Sequence, residues 1–490
     1  MIQKVKTFLF TNTSTSQMLV KNTVWLSVSN IVGRLVRALI IIYAARILGT
    51  ESWGVFAYAI SLIATITVLT DFGINGIVTR EASRRSGELH ETNYLATAFW
   101  IKLAFTALGA IFVLVAGPYL TNLPAVRMIL PLAALVLVFD TLRDFGFSLT
   151  RALQKMEWEA MLFIGTNVAI VIFGFLLLWI SPTVEAYTFS YALGAAVGAG
   201  ATFYLLRHHL VRFLRGFSGH LILPLIKSAW PFALAGVLGG LMIDTDVIII
   251  GWLRSATDVG LYAAAQRIIL MLYIIPGIIA SSTFPLLARL AHKDNEKARR
   301  VFEFALTTVL FVALPIVIGG IFLGTPLIEL LFGSEYLGAA AAFKILALTI
   351  PMNFAAIVLS NFIFAYDRQT ILTRYAAVGA TLNIVLDLLF IPVWGIAGSA
   401  LATLFVQIVG ITYLVVSAKR ILQFSVIRHM KNALIGTCAV ALTTWIGFLF
   451  SLPVLWSIVF ATLVYGGVLV LRKEPLLRDV SNVLRAEHVA

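Results

Sequence analysis

Residues 46–63, RILGTESWGVFAYAISLI, decide the fold because the chain returns to them. Residues 252–269 read WLRSATDVGLYAAAQRII, and aligning Gly54 with Gly260 sets GVFAYA over GLYAAA at an offset of 206 (260 − 54). Val55 then matches Leu261 and Phe56 matches Tyr262. In each copy a long apolar run ends, a short polar turn follows, and glycine plus an aromatic opens the next apolar run. A looser pair keeps the same order. TRALQKMEWEA from Thr150 and FIFAYDRQTIL from Phe362 each close an apolar run with a short charged turn. Two matches in one order predict duplication of a six-helix unit, and a repeat overlooked mis-assigns the whole architecture.

Composition names the solvent. Hydrophobic residues are 60% of the 490 and charged residues only 12%, well under the roughly 25% of ordinary soluble chains. Mean hydropathy is +0.97. The chain is written for a bilayer. Its formal charge of +13 does not mark a nucleic-acid surface, because the basic residues are scattered between apolar runs, which is the pattern of membrane topology. Cys438 is the only cysteine and lies in an apolar run, which excludes a disulfide framework and a thiolate metal site. Lys4 and Lys6 precede a polar TNTSTSQ segment and a first apolar run longer than the core of a cleavable signal peptide.

A span needs about 20 apolar residues. The sequence offers fourteen: 19–45, 53–72, 94–117, 126–150, 159–181, 186–206, 224–250, 257–280, 300–324, 339–365, 371–392, 395–417, 430–450 and 453–471. Spans 11 and 12 are parted only by the PVWGI turn, Pro392 to Ile396. Of the 36 Lys and Arg residues, only Arg46, Arg254 and, at a boundary, Arg127 fall in the turns on one side. The other side holds 27, in segments that include Arg80, Arg85, Arg151, Arg215, Lys293, Arg368, Arg428 and Arg478, and the remaining six lie inside spans. By the positive-inside rule that side is cytoplasmic, and both termini with it. Six spans return the chain to its starting side, so the halves are a parallel repeat about an axis along the membrane normal. The expectation is an all-α polytopic membrane protein with two six-helix lobes around a central cleft and two further C-terminal helices. Its parts are an N-lobe (1–206), a basic linker (207–223), a C-lobe (224–417) and spans 13 and 14 with a tail (418–490).

Ionisable residues inside spans are costly and mark function by default. In span 1, Ser27, Asn30, Arg34 and Arg37 are spaced 3, 4 and 3 and so share one helical face. Two readings stand: a stripe buried against neighbouring helices with a carboxylate for each arginine, or a cationic lining for an anionic substrate. Arginine suits phosphate, because its planar fork donates bidentate hydrogen bonds and stays ionised. Arg267 in span 8 is the candidate matching charge of the second repeat. Lys102 and Lys344 lie nearer span ends, where snorkelling accounts for them. Asp140, Arg143 and Asp144 can neutralise one another at i, i+3 and i+4. Asp244 and Asp246 point to nearly opposite faces of span 7, and Asp387 shares a face of span 11 with Asn383. Asp244, Asp246, Asn383 and Asp387 are therefore candidates for binding a coupling Na+ or H+. Gly194-Ala-Ala-Val-Gly198 is a small-xxx-small pattern for close helix packing.

Catalytic signatures are missing: there is no Walker A, HExxH, GxSxG or dinucleotide fingerprint in context. His90, His208, His209, His220, His292, His429 and His488 all fall between spans or in tails. The sequence therefore calls for no metal, no cofactor and no enzymatic reaction.

TDFGINGIVTREASRR (Thr70 to Arg85) and TDVIIIGWLRSATDVGLYAAAQRI (Thr245 to Ile268), with the duplicated topology, resemble the polysaccharide-export flippases of the multidrug/oligosaccharidyl-lipid/polysaccharide exporter superfamily. The resemblance spans nearly the whole chain. It implies translocation of a polyprenyl-linked oligosaccharide from the cytoplasmic to the outer leaflet of the cell membrane, with polysaccharide polymerases or glycosyltransferases as possible partners. The related peptidoglycan-precursor flippases also use a basic first helix and a cationic cavity. Arg37, however, is followed by Ala38 where that branch places an acidic residue. That departure argues for a sugar-polymer repeat unit as cargo. A multidrug/cation antiporter of the same superfamily is the alternative, and it would favour acidic and aromatic lining over the span 1 arginines. A membrane glycosyltransferase or polymerase would need larger outer loops than this chain has.

Overall fold

The computed structural model describes residues 15–84, 92–213, 216–426 and 430–474. Lys4, Lys6, Arg85, His90, Arg215, Arg428, His429, Arg478 and His488 lie outside the described residues. Among the described residues there are fifteen α-helices and no strand. In chain order they are α1 (Thr15–Asp71), α2 (Ile74–Arg84), α3 (Thr92–Val115), α4 (Pro124–Ala152), α5 (Met156–Ile180), α6 (Val184–Phe213), α7 (Ile222–Leu253) and α8 (Ala256–Leu272). Then follow α9 (Ile274–Leu290), α10 (Asn295–Phe332), α11 (Ala340–Ala347), α12 (Ile350–Ala365), α13 (Gln369–Ile421), α14 (Lys431–Leu449) and α15 (Val454–Leu471).

Two of these helices are far longer than a bilayer is thick. The 57-residue α1 breaks at Gly49 (φ 72°, ψ 175°), and the 53-residue α13 breaks at Gly395 (φ 59°, ψ −139°). Both backbone conformations are open in practice only to glycine, and both fall in turns that the hydropathy predicts. Among the described residues ten helices are long and apolar enough to span, or twelve when two bent pairs count as spans. Parting α1 and α13 at their glycines brings the twelve to the fourteen that the sequence predicts.

By compactness the chain divides between Ala263 and Ala264. The first unit holds α1 to α7 and the start of α8; there α1 packs on α4, α5 and α7, and α6 packs on α4 and α5. The bend after Asp71 passes through Phe72 (φ 44°) and Gly73 (φ 73°). It turns α2 by 49° so that its apolar face, Ile74, Ile77 and Val78, is buried against Leu95, Phe99, Phe145 and Leu225. At this joint Lys102 does not snorkel. Its side chain is 1% exposed and its ammonium lies 2.5 Å from the Asp71 carboxylate, the kind of partner a buried charge requires. Lys21, equally buried, pairs with Glu157 at 3.1 Å.

Helix association in lipid is driven by close backbone approach, not by hydrophobic contrast. Outward positions such as Leu35 and Leu39 stay exposed, whereas the contacts between helices use small residues. A Cβ on Gly194 would lie 2.7 Å from the Ile170 backbone nitrogen, so the predicted Gly194–Gly198 stripe is where α6 meets α5. The tightest crossing joins the two copies of the repeat. A Cβ on Gly54 would lie 1.8 Å from the Ala256 carbonyl oxygen, and one on Gly260 would lie 1.9 Å from the Thr50 carbonyl oxygen. Thr50 stands four residues before Gly54, and Ala256 four before Gly260. The contact is reciprocal, and the duplicated phrases touch each other.

The second unit runs from Ala264 to α15. There α10 packs on α9, α12 and α14, and α14 on α15. Asp294 caps α10, its carboxylate accepting the Lys297 amide at 3.0 Å, and Tyr465 donates to the Phe311 carbonyl at 2.7 Å. An apolar cavity of about 460 Å3 opens in this unit, lined by residues that include Leu272, Ile316, Phe343, Thr444, Ile458 and Tyr465.

Candidate functional site

The polar face of span 1 lies on the N-terminal half of α1. Ser27 is half-buried, Asn30 and Arg34 are exposed, and Arg37 is half-buried. Asn30 spends its amide on the Leu26 carbonyl at 2.8 Å, which leaves its side-chain oxygen outward. Arg34 makes no hydrogen bond or ion pair among the described residues. Arg37 is held differently: its Nη1 donates to the Tyr191 hydroxyl at 2.8 Å, and its guanidinium carbon sits 5.1 Å from the centre of the Tyr191 ring. Its Nε is buried with no partner among the described residues.

Behind Arg37 lies a balanced cluster. Arg143 contacts Asp140 at 2.6 Å and Asp144 at 2.9 Å, so these three neutralise one another as their spacing predicts. Asp140 also feels the charge of Arg37. Two carboxylates thus face two arginines, and Arg34 is the cation left over. At depth in hydrocarbon a lone guanidinium costs several kcal/mol, and an anion beside it recovers much of that. Arg37 is thus braced by Tyr191, with no carboxylate of its own, whereas Arg34 is exposed.

The remaining candidates occupy separate places. On α7, Asp246 is 3% exposed and accepts a hydrogen bond from the Tyr262 hydroxyl, whereas Asp244 is half-buried, in keeping with their opposite faces. Asn383 and Asp387 are buried on α13, and the Asn383 amide donates to Asp387 at 2.9 Å. Arg267 on α8 is half-buried and, like Arg34, makes no hydrogen bond or ion pair among the described residues. The structure therefore joins Arg37 to Tyr191, Asp246 to Tyr262 and Asn383 to Asp387. Tyr191 was not legible as a site residue. It stands in an ordinary small-residue helix, SYALGAAVGAG, and only the packing of α6 on α1 shows its use.

The ten to twelve helices among the described residues that are long and apolar enough to cross a bilayer make this a multi-pass membrane protein. The model of the polysaccharide biosynthesis protein family matches residues 19–291, and the chain belongs to that family. The MatE model matches residues 231–389. The "Probable low-salt glycan biosynthesis flippase Agl15" of Haloferax volcanii is 24% identical over 449 residues, covering 89% of this chain and 90% of the relative. The "Capsular polysaccharide biosynthesis protein CapF" of Staphylococcus aureus is 22% identical, with 80% and 97% covered. The fold is that of "Lipid II flippase MurJ, inward closed conformation" (TM-score 0.76, 20% identity, 92% of this chain and 99% of that one). It is also that of an inward-facing "multidrug resistance MATE family transporter of the MOP superfamily" (TM-score 0.65, 15% identity, 80% and 96%).

Proposed function

We propose that this protein is a flippase of the MOP superfamily and carries a polyprenyl-(pyro)phosphate-linked oligosaccharide from the cytoplasmic to the outer leaflet of the cell membrane, by alternating access between its two repeats. Both termini then lie in the cytoplasm, as the distribution of Lys and Arg favours, and the lobes are residues 1–206 and 224–417. The observation that carries this reading is Arg34, a cation offered from an apolar helix with no protein partner among the described residues. A pyrophosphate supplies two anionic groups for it and for Arg37, and guanidinium binds them through paired, charge-assisted hydrogen bonds. Sugars cannot cross hydrocarbon unaided, because each unsatisfied polar group costs several kcal/mol. Arg267 is the corresponding cation of the second repeat. The prenyl tail needs no polar partner and can stay in the hydrocarbon.

Transport is coupled to Na+ or H+ through acids within the spans: Asp387 with Asn383, and Asp246 with Asp244, are the groups for it. The test is flipping of a fluorescent polyprenyl-pyrophosphate oligosaccharide in proteoliposomes, wild type against Arg34→Ala and Arg37→Ala. Flipping falls by at least tenfold in either variant while its melting is unchanged. Uptake of a small organic cation with no flipping by the wild type would hand the protein to the antiporter class. Asp387→Asn abolishes the dependence of flipping on Na+ or pH, and an unchanged dependence removes the coupling role.

A further inference from the structure

A phenol hydroxyl both accepts and donates hydrogen bonds. Tyr191 uses its acceptor side for Arg37 Nη1 at 2.8 Å and makes no other hydrogen bond among the described residues. Its own proton is therefore still to be given. The ring is fixed in place: the Arg37 guanidinium lies over it at 5.1 Å, and Phe56 of α1 packs against it at 6.0 Å between centroids. The side chain is half-buried. Arg143, itself clamped by Asp140 and Asp144, lies within electrostatic reach of the hydroxyl. A cation that donates to a phenol oxygen polarises its O–H bond and strengthens it as a donor to an anion.

We propose that Tyr191 is itself a ligand of the substrate's phosphate, its hydroxyl accepting from Arg37 and donating to a phosphate oxygen beside Arg34. This rests on the phosphate reading above and deepens it. The site then consists of three donors of different reach: the free guanidinium of Arg34, the unpartnered Nε–H of Arg37 and the O–H of Tyr191. An isoprenoid alcohol would leave all three unanswered, so the trio selects phosphorylated lipid over the neutral polyprenol.

The test is equilibrium binding of farnesyl pyrophosphate to the purified full chain in detergent, with farnesol as the uncharged control. It compares wild type, Tyr191→Phe, Arg37→Lys and the double variant, with melting curves to verify folding. Phenylalanine keeps the ring and its packing and removes only the hydroxyl. Wild type binds the pyrophosphate in preference to farnesol. Tyr191→Phe weakens that binding by about tenfold, the loss of one hydrogen bond to a charged group, and leaves farnesol unaffected. The same factor is lost when the change is made in the Arg37→Lys background. Equal binding by Tyr191→Phe and wild type overturns the proposal. So does a loss that vanishes in the Arg37→Lys background, because the tyrosine would then act only by bracing Arg37. No preference for pyrophosphate over farnesol in the wild type is a different result, and it would overturn the phosphate reading together with this one.

Discussion

Consider Gly54→Ala. The added carbon would stand 1.8 Å from the Ala256 carbonyl oxygen, where ordinary contact begins at 3.4 Å. The obstacle is backbone, so no rotamer can step aside, and the helices must part by 1.6 Å, the difference between those distances. Forcing a methyl group into a tight contact costs about 1–3 kcal/mol. Separating the strand of Cα–H···O contacts that such a crossing brings adds about 0.5–1 kcal/mol for each one lost. A total near 3 kcal/mol lowers the folding constant by roughly a hundredfold. Equilibrium unfolding in mixed micelles, titrated with a denaturing detergent, reads this directly. Gly165→Ala and Gly200→Ala are the controls, because nothing lies within 4 Å of a Cβ at either position; both should be neutral or stabilising by up to about 1 kcal/mol. Gly260→Ala should behave like Gly54→Ala. If Gly54→Ala unfolds at the same denaturant fraction as Gly165→Ala, the backbone crossing is not a source of stability and the reasoning fails.

Three further outcomes follow from features of the fold. Lys102→Met leaves the Asp71 carboxylate without its buried partner; it should cost about 3 kcal/mol, and the double variant with Asp71→Asn should recover part of that loss in the same unfolding titration. At the start of α10 the Asp294 carboxyl is held below its ordinary value by the Lys297 backbone amide and then its side chain. A lowered folded value means that the cap is fully present above about pH 4 and is lost as pH falls through the folded value; amide exchange of the first turn of α10 should accelerate on acidification, and Asp294→Asn should remove that dependence. Trp252 donates its indole N–H to the Leu120 carbonyl at 2.6 Å, a carbonyl that also accepts from Tyr58 at 2.8 Å. Trp252→Phe should cost about 1 kcal/mol and speed limited proteolysis near residues 117–123, with unchanged cleavage counting against the tie.

The architecture was legible because the bilayer imposes its own period on the sequence. Each crossing needs an apolar run of fixed length, and each turn needs residues that leave the helix, as Gly49 and Gly395 do. The arginine face was legible for the same reason, since charge stands out against hydrocarbon. What answers that charge was not. Tyr191 lies 154 residues from Arg37, and its neighbourhood in sequence is a packing stripe. Lys102 was misread for a related reason: its distance from a span end suggested snorkelling, whereas its carboxylate partner lies 31 residues earlier, on a different helix. Periodicity reports which face a residue occupies, not what another helix brings to that face.

The reciprocal crossing of Gly54 and Gly260 has a further implication for ancestry. Each copy offers a carbonyl to the other's glycine, which is the signature of an isologous, self-complementary surface. Two identical six-helix chains could have met at this surface before their genes were joined. In that twofold dimer a glycine lost at the single ancestral position would have damaged the contact from both sides at once. A fusion of two such chains would have separated the two positions and left each half of the crossing free to drift alone. The Val55/Leu261 and Phe56/Tyr262 differences around a pair of unchanged glycines are what such a history would leave behind.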